Sequence, residues 1–141
     1  MIRSADIYDF DSVYLLICEL EETAFDKNEF KNIFSAQLKN PAMRMLVFEQ
    51  NNEVTAVLNL RMEYHLHHCA KIAEIVEFSV NEAFRSGGIG KKMFNEACKT
   101  AKDNGCVQIE LSSSRKRTRA HSFYEKQGML KTHYKLTMSL I

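Results

Sequence analysis

The chain contains little proline and glycine and no long hydrophobic run. Its 141 residues include one proline and five glycines, too few for a linker-rich or low-complexity protein. A membrane-spanning helix needs about 18 consecutive apolar residues, and no run approaches that length. The first residues also lack the layout of a signal peptide. We therefore expect a cytoplasmic protein with no membrane partner.

Neither sign of charge dominates, and the cysteines show no paired spacing. The 19 Lys and Arg residues against 18 Asp and Glu residues give a formal net charge of +1, which offers no electrostatic basis for nucleic-acid binding. Cys18, Cys69, Cys98 and Cys106 contain no CxxC pair, so we expect reduced, mostly buried thiols. The length suits a single domain, 1–141, whose core needs no disulfides.

The periodicity of apolar residues predicts an α/β protein, a mixed sheet with helices on its faces. The predicted order is β-α-α-β-β-β-α-β-α-β-β. Asp26, with Glu29 at the capping-box position, is expected to begin the second helix. The predicted strands cover residues 2–5, 45–50, 54–64, 71–80 and 107–111, with one or two final strands in 129–140. The predicted helices start near residues 9, 26, 88 and 120.

A glycine-rich turn, Arg85-Ser-Gly-Gly-Ile-Gly90, lies between a predicted strand and a predicted helix. The first N–H groups of a helix are unpaired and carry partial positive charge, and glycines let a ligand approach the main chain. A Walker-type loop is excluded, because Arg85 replaces its first glycine and Lys92 its hydroxyl residue. A dinucleotide fingerprint is excluded because Met93 stands at its third glycine. The turn therefore predicts binding of a pyrophosphate of another kind.

Two motifs point to one family. Arg85-Ser-Gly-Gly-Ile-Gly90 resembles the Arg/Gln-x-x-Gly-x-Gly/Ala signature of the GNAT superfamily of acyl-CoA-dependent N-acetyltransferases. Ala120-His-Ser-Phe-Tyr-Glu-Lys-Gln-Gly128 resembles the late motif of the same family. The resemblance implies a GNAT-like fold with splayed parallel strands at the coenzyme site. It also implies transfer of an acetyl group from acetyl-CoA to an amine, by direct attack in a ternary complex.

The resemblance places the coenzyme pyrophosphate against the glycine turn. The implied pyrophosphate contacts are Arg85, Ser86, Gly87, Gly88, Gly90 and Lys91. Phe78, Ser79 and Val80 are implied to pair through their main chain with the pantetheine arm, where an N–H would polarise the thioester carbonyl. Ser114 stands where many relatives carry an asparagine that binds the coenzyme arm, and its hydroxyl could serve instead.

The acceptor amine must lose a proton before it attacks, because the pKa of a free amine is near 10. Glu77 directly precedes the residues implied to pair with pantetheine, so we favour it as general base, acting through a water. Glu74 stays open as the alternative, since strand alternation puts the two carboxylates on opposite faces unless a bulge intervenes. Tyr124 resembles the general acid of the family, which gives the departing thiolate a proton or a hydrogen bond.

Other segments resemble the aminoalkylphosphonate N-acetyltransferases. The matching segments are 13–20, 65–68, 74–77, 116–117 and 120–121. This resemblance implies a small amine that carries a phosphonate, and an activity that responds to divalent metal. The expected substrate-binding residues are His65, His67, His68, Glu74, Lys116 and Arg117, with Arg61 as a further cation. The histidines could also bind a divalent ion, although alternation keeps them from converging without a bend, so the sequence does not require a metal.

Two other functions compete with the small-molecule enzyme. A protein or peptide N-acetyltransferase would use the same chemistry, but would need an open groove beside the first two helices. A non-catalytic, CoA-binding regulatory module would bind the coenzyme without turnover, and the presence of Glu77 and Tyr124 argues against it. Exposed final strands could also pair across a homodimer.

Overall fold

The computed structural model describes residues 1–141, which divide into two compact units, Met1–Glu110 and Leu111–Ile141. The strands are β1 (Ile2–Ser4), β2 (Met43–Gln50), β3 (Glu53–His65), β4 (Ala70–Val80) and β5 (Gln108–Leu111). The helices are α1 (Phe10–Glu21), α2 (Lys27–Lys39), α3 (Ile89–Asp103) and α4 (Thr118–Lys126). Short 3-10 turns cover Ile7–Asp9 and Glu82–Phe84. No helix is both long enough and apolar enough to span a membrane.

The strands form one five-stranded sheet in the order β1-β2-β3-β4-β5. Strands β1 to β4 are antiparallel neighbours, and β5 joins β4 after the crossover helix α3, so the sheet is mixed. The β2–β3 turn contains Asn51 and Asn52 with φ of 52° and 61°, the backbone that asparagine tolerates in a tight hairpin. The predicted fold class is confirmed, and so is the cap of α2, where the Asp26 carboxylate accepts the Glu29 N–H at 2.8 Å.

The core of the first unit lies on both faces of the sheet. Helices α1 and α2 pack on one face, where Phe10, Val13, Leu16 and Phe34 meet Met45, Val47 and Val57. The opposite side of β3 buries Leu58 and Leu60 completely, and α3 covers it with Met93 and Ala97, which are also completely buried. Full burial of each large apolar side chain contributes roughly 1.5–3 kcal/mol. This two-sided packing holds β3 and β4 in a fixed position.

In the second unit, α4 is followed by a segment without helix or strand. The predicted final strands within 129–140 are not found, and residues 130–141 are exposed. Tyr134, Leu136, Met138 and Leu140 do alternate, and each is more than 80% exposed. Alternation of apolar and polar residues indicates which side chains would share one face of a strand. A strand also needs a neighbouring backbone to complete its hydrogen bonds.

The four cysteines are free thiols, as expected. Cys18, Cys98 and Cys106 are half-buried and Cys69 is exposed, so the expectation that most are buried is wrong. Cys69 is exposed because it lies in the turn between β3 and β4, with a positive φ of 50°.

Candidate active site

The glycine-rich turn is an exposed connection from β4 to α3. After the 3-10 turn at Glu82–Phe84, residues 85–88 are exposed and α3 begins at Ile89. Gly88 is the N-cap residue with a φ of 81°, a conformation that a side chain would strain. The N–H groups of the first helical turn, from Ile89 to Lys91, have no carbonyl partner within the helix. The turn therefore presents main-chain donors and the positive end of a helix dipole to an anion.

Arg85 links this turn to the first helix, α1, through hydrogen bonds and an ion pair. Its Nε donates to the Val80 carbonyl at 3.0 Å, and its Nη2 forms an ion pair with the Glu19 carboxylate at 3.2 Å. The same Glu19 oxygen accepts the Glu82 N–H at 3.0 Å. Glu19 has no place in the sequence motifs, and its position in the last turn of α1 gives no local signal of this role. The third guanidinium nitrogen of Arg85, Nη1, takes part in neither contact.

The last residues of β4 lie beyond the part of that strand that runs beside β5. Phe78, Ser79 and Val80 pair with β3 on one side. On the other side, β5 has four residues against the eleven of β4. The Val107 N–H donates to the Lys71 carbonyl at 3.0 Å, near the start of β4, so β5 runs beside the first part of that strand. The Ser79 hydroxyl is buried and donates to the Leu16 carbonyl at 3.1 Å, which leaves only main-chain groups of Ser79 for a ligand.

A β-bulge puts Glu77 and Glu74 on the same face of the sheet. Glu77 pairs with Asn59 and Ile75 pairs with Leu60, so Val76 is an extra residue without a partner. Glu74 then pairs with Arg61, two residues after Asn59 and on the same side of β3. The two carboxylates therefore share one face, which is the case expected only where a bulge interrupts the regular alternation.

Glu77 lies beside a buried amide. Asn59 is 1% exposed, and its Nδ2 donates to Glu77 Oε1 at 3.2 Å and to Gln37 Oε1 at 2.9 Å. The Asn59 Oδ1 is buried without a hydrogen-bond partner. Burial raises the pKa of the Glu77 carboxyl above its usual value, and the nearby Glu21 and Glu74 charges add to this, while Asn59 and Arg61 oppose it. Glu77 is thus a carboxylate with a raised proton affinity.

Glu74 is instead neutralised by an ion pair. Arg61 lies 2.7 Å from the Glu74 carboxylate and 3.0 Å from the Glu63 carboxylate. Glu74 is thus held in an ion pair, whereas Glu77 accepts a hydrogen bond from the neutral amide of Asn59. Of the two candidates for the base, the geometry favours Glu77.

A cavity of about 220 Å³ opens above Glu77, between the sheet and helices α1 and α2. Its polar floor is Gln37, Asn59 and Glu77. Its apolar walls are Val13, Ile17, Phe25, Phe30, Ile33, Phe34, Met45 and Val57. Asn59 and Gln37 are not among the site residues predicted from the sequence. The signal for Asn59 is a single amide inside an otherwise apolar stretch of β3, between the buried Leu58 and Leu60.

A second cavity of about 230 Å³ continues along the same face, lined by Arg61, Glu63, His65, Ile72 and Glu74. His65 ends β3, and His67 and His68 lie in the turn that follows. Alternation along a strand would separate three such residues, but the turn supplies the bend, and the three imidazoles come together.

The remaining predicted site residues lie in the second unit. In the loop before α4, the Ser114 carbonyl accepts from the Arg117 N–H at 3.0 Å and from the His121 ring at 2.8 Å. Lys116 is exposed and Arg117 is half-buried. Burial raises the pKa of Tyr124 to about 12, against a smaller opposing effect of the Arg117 charge. Tyr124 is therefore a protonated hydrogen-bond donor at neutral pH.

Comparison with known proteins agrees with this geometry. Residues 6–129 match the acetyltransferase (GNAT) family. The chain is 37% identical over 139 residues to an aminoalkylphosphonate N-acetyltransferase of Salmonella typhimurium, covering 99% of this chain and 90% of that protein. It is 29% identical to an uncharacterized N-acetyltransferase of Archaeoglobus fulgidus, covering 91% of each.

Solved structures show the same fold at lower identity. A transcriptional regulator from Bacillus halodurans superimposes with a TM-score of 0.91 at 23% identity, over 99% of each chain. Glucosamine-6-phosphate N-acetyltransferase from Arabidopsis thaliana superimposes with a TM-score of 0.83 at 23% identity, over 100% of this chain and 98% of that one. The resemblance seen in the two sequence motifs is confirmed. The chain belongs to the acetyltransferase (GNAT) family and is an N-acetyltransferase.

Proposed function

We propose that the chain transfers the acetyl group of acetyl-CoA to the primary amine of a small molecule held in the cavity above Glu77. One observation carries this proposal: a carboxylate whose pKa is raised by burial lies on the floor of a small cavity between the sheet and two helices. The family uses acetyl-CoA as its co-substrate. The N–H groups of the turn suit its pyrophosphate, and the last residues of β4, which lie beyond β5, suit its pantetheine arm.

The unpartnered oxygen of Asn59 supports a place for the amine. A buried amide oxygen without a partner costs about 1–3 kcal/mol, so a ligand that donates to it recovers that cost. An acceptor nitrogen that donates to Asn59 Oδ1 lies within reach of Glu77, because Asn59 Nδ2 already contacts that carboxylate at 3.2 Å. Asn59 thus orients the nucleophile, and Glu77 takes its proton directly or through a water.

The raised pKa of Glu77 suits proton abstraction from an ammonium ion. The pKa of a free amine is near 10, far above that of an ordinary carboxyl group, so transfer of the proton is uphill. Burial raises the pKa of Glu77 and so reduces the difference between the pKa values of the amine and the carboxyl group. Acetyl-CoA supplies the activated acyl group, and the residues of this chain hold the two reactants together and remove the proton.

Tyr124 serves the leaving thiolate as a hydrogen-bond donor. Its pKa of about 12 lies well above the value near 8.5 of a free thiol, so full transfer of its proton would cost about 5 kcal/mol. A hydrogen bond to the thiolate carries no such cost. The nitrogen of an ammonium ion loses two protons in becoming an amide: Glu77 takes the first before attack, and the second, lost after attack, is the one that the thiolate gains.

Aminoalkylphosphonates are the acceptors to test first, because the relative at 37% identity is named for them. The phosphonate group needs positive charge nearby. Lys116 and Arg117, in a segment that resembles those enzymes, are the cations we propose for it.

The test measures thiol release from acetyl-CoA with three acceptors of one carbon skeleton: 1-aminoethylphosphonate, alanine and ethylamine. We expect turnover with the phosphonate to exceed that with the other two, and Glu77→Gln to abolish most of it. A peptide substrate serves as the fourth arm. Turnover on the peptide alone would contradict the small-molecule acceptor, and full turnover by Glu77→Gln would remove Glu77 as the base.

A further inference from the structure

The cavity above Glu77 is larger and more apolar than an amine group requires. Its volume is about 220 Å³, and its polar floor supplies three of its eleven lining residues. The other eight are apolar, and three of these are aromatic: Phe25, Phe30 and Phe34. A cavity of roughly 150 Å³ with an apolar and aromatic lining is large enough to bind benzene. The cavity therefore has room for a phenyl group in addition to the amine.

The aromatic wall is held in place by contacts within the chain. The Phe30 ring packs edge-on against the Tyr14 ring, with centroids 5.2 Å apart and an interplanar angle of 90°. The Phe25 ring lies 6.3 Å from the Phe30 ring, and the Tyr14 hydroxyl donates to the Phe25 carbonyl. Phe34 is buried, 5.8 Å from the Phe10 ring. Rings that are fixed before binding lose little side-chain entropy when a ligand arrives.

Two of the apolar lining side chains are in contact with water. Phe25 is 37% exposed and Ile33 is 52% exposed. Other lining residues, such as Val13 and Val57, are fully buried. The wall thus runs from an apolar interior to an apolar rim. A ligand group that covers this rim removes apolar surface from water, which is favourable in proportion to the area covered.

The charge of the lining excludes an anionic group from the cavity. No lysine or arginine lines it, and Glu77 is its only charged residue. An anion would lose its hydration there without a cation to pair with, at a large cost in free energy. A phosphonate would therefore have to lie outside the cavity. The group that fits inside, next to the amine, is uncharged and apolar.

We propose that the apolar wall of this cavity binds an aryl group, so that the preferred acceptor is a primary amine with a phenyl-sized aromatic substituent. Aromatic rings attract one another at centroid separations of about 4.5–7 Å, beyond the gain from burial, which favours an aryl over an alkyl group. This inference rests on the proposed function, in which Glu77 receives the proton of the amine. It adds the chemical class of the group that the amine carries.

The experiment measures thiol release from acetyl-CoA with two pairs of acceptors that differ by one phenyl group. The first pair is ethylamine and 2-phenylethylamine, and the second is 1-aminoethylphosphonate and 1-amino-2-phenylethylphosphonate. We expect kcat/KM to be at least about 10-fold higher for the phenyl member of each pair. 2-Cyclohexylethylamine has a ring of similar size without aromatic character and should be a poorer substrate than 2-phenylethylamine. If it is the better substrate, the preference for an aryl group is refuted.

A double variant tests whether this wall causes the preference. Phe25→Ala combined with Ile33→Ala removes the two exposed lining side chains and should lower the kcat/KM ratio within each pair several-fold. The matched control is Leu15→Ala, which removes an exposed apolar side chain of α1 that does not line the cavity. The control should leave the ratio unchanged. Because all three side chains are exposed, circular dichroism should show both variants folded.

Failure of the aryl site can be distinguished from failure of the proposed function. Turnover of the ethyl members with no gain for the phenyl members would overturn the aryl site and leave the proposed function intact. Absence of thiol release with every acceptor would contradict the proposed function. Calorimetry of 2-phenylethylamine binding to the CoA-loaded chain then decides the aryl site. Binding that the double variant weakens would support it, and absence of binding at millimolar amine would overturn it.

Discussion

Replacing Asn59 by leucine would remove the hydrogen bond to Glu77 while keeping the volume of a buried side chain. Asn59 is 1% exposed, and its Nδ2 lies 3.2 Å from Glu77 Oε1. This hydrogen bond favours the ionised form of Glu77 and opposes the effect of burial, which already raises the pKa. Without the amide, the Glu77 carboxylate remains buried and loses a hydrogen-bond donor. The pKa of Glu77 should therefore rise further.

The size of this change follows from the energy of one hydrogen bond. A hydrogen bond to a charged group contributes about 1.5–3 kcal/mol, and about 1.4 kcal/mol corresponds to one pH unit in a titration midpoint. The midpoint of Glu77 should thus move upward by about one to two pH units in Asn59→Leu. The rate of acetyl transfer at neutral pH should fall, because less of Glu77 is ionised and the amine loses its contact with Asn59.

The direct assay is a pH titration of glutamate carboxyl carbons by NMR, with the Glu77 signal assigned from Glu77→Gln. This measurement is preferable to a pH–rate profile alone, because the acceptor amine titrates as well. Thr55→Val is the matched control: Thr55 is a buried polar residue of the same strand, and its hydroxyl forms no hydrogen bond with Glu77. An unchanged Glu77 midpoint in Asn59→Leu, or an equal change in Thr55→Val, would refute the reasoning.

Three further predictions concern stability and catalysis. Burial raises the pKa of Glu77 in the folded chain above its value in the unfolded chain, so the folded chain holds this proton more tightly. The free energy of unfolding therefore falls as the pH rises from the unfolded-state pKa to the folded-state pKa. Glu77→Gln should therefore be more stable than the unaltered chain in urea unfolding at pH 7.5, and the gain should disappear near pH 4; a stability loss at pH 7.5 would contradict it. Thr55→Val removes a buried hydroxyl without a partner, so the free energy of unfolding should increase by about 1 kcal/mol, and a decrease would show that the hydroxyl is satisfied. Tyr124→Phe should lower kcat roughly 10- to 100-fold, because it removes a hydrogen bond to the thiolate. Calorimetry should show an unchanged affinity for the coenzyme. An unchanged kcat with weaker coenzyme binding would instead assign Tyr124 to coenzyme binding.

The features that the sequence predicted well are those that a short stretch of chain determines. The glycine turn precedes α3 because Gly88 tolerates a φ of 81° and the apolar spacing begins directly after it. The cap at Asp26 needs only the N–H of Glu29, three residues away. The final strands failed for the opposite reason: residues 129–140 carry the right alternation, but a strand depends on a partner that lies elsewhere in the chain.

The two candidate bases also depend on a partner that lies elsewhere in the chain. Glu74 and Glu77 are three residues apart, and a regular strand would place them on opposite faces. Pairing with β3 inserts Val76 as a bulge, which brings both carboxylates to one face and sets Arg61 against Glu74 and Asn59 against Glu77. Glu74 is therefore held in an ion pair with a guanidinium, whereas Glu77 accepts a hydrogen bond from a neutral amide in a buried position. Two carboxylates that are three residues apart thus acquire different partners from the strand beside them, and this difference is the basis of our proposal that Glu77 is the base.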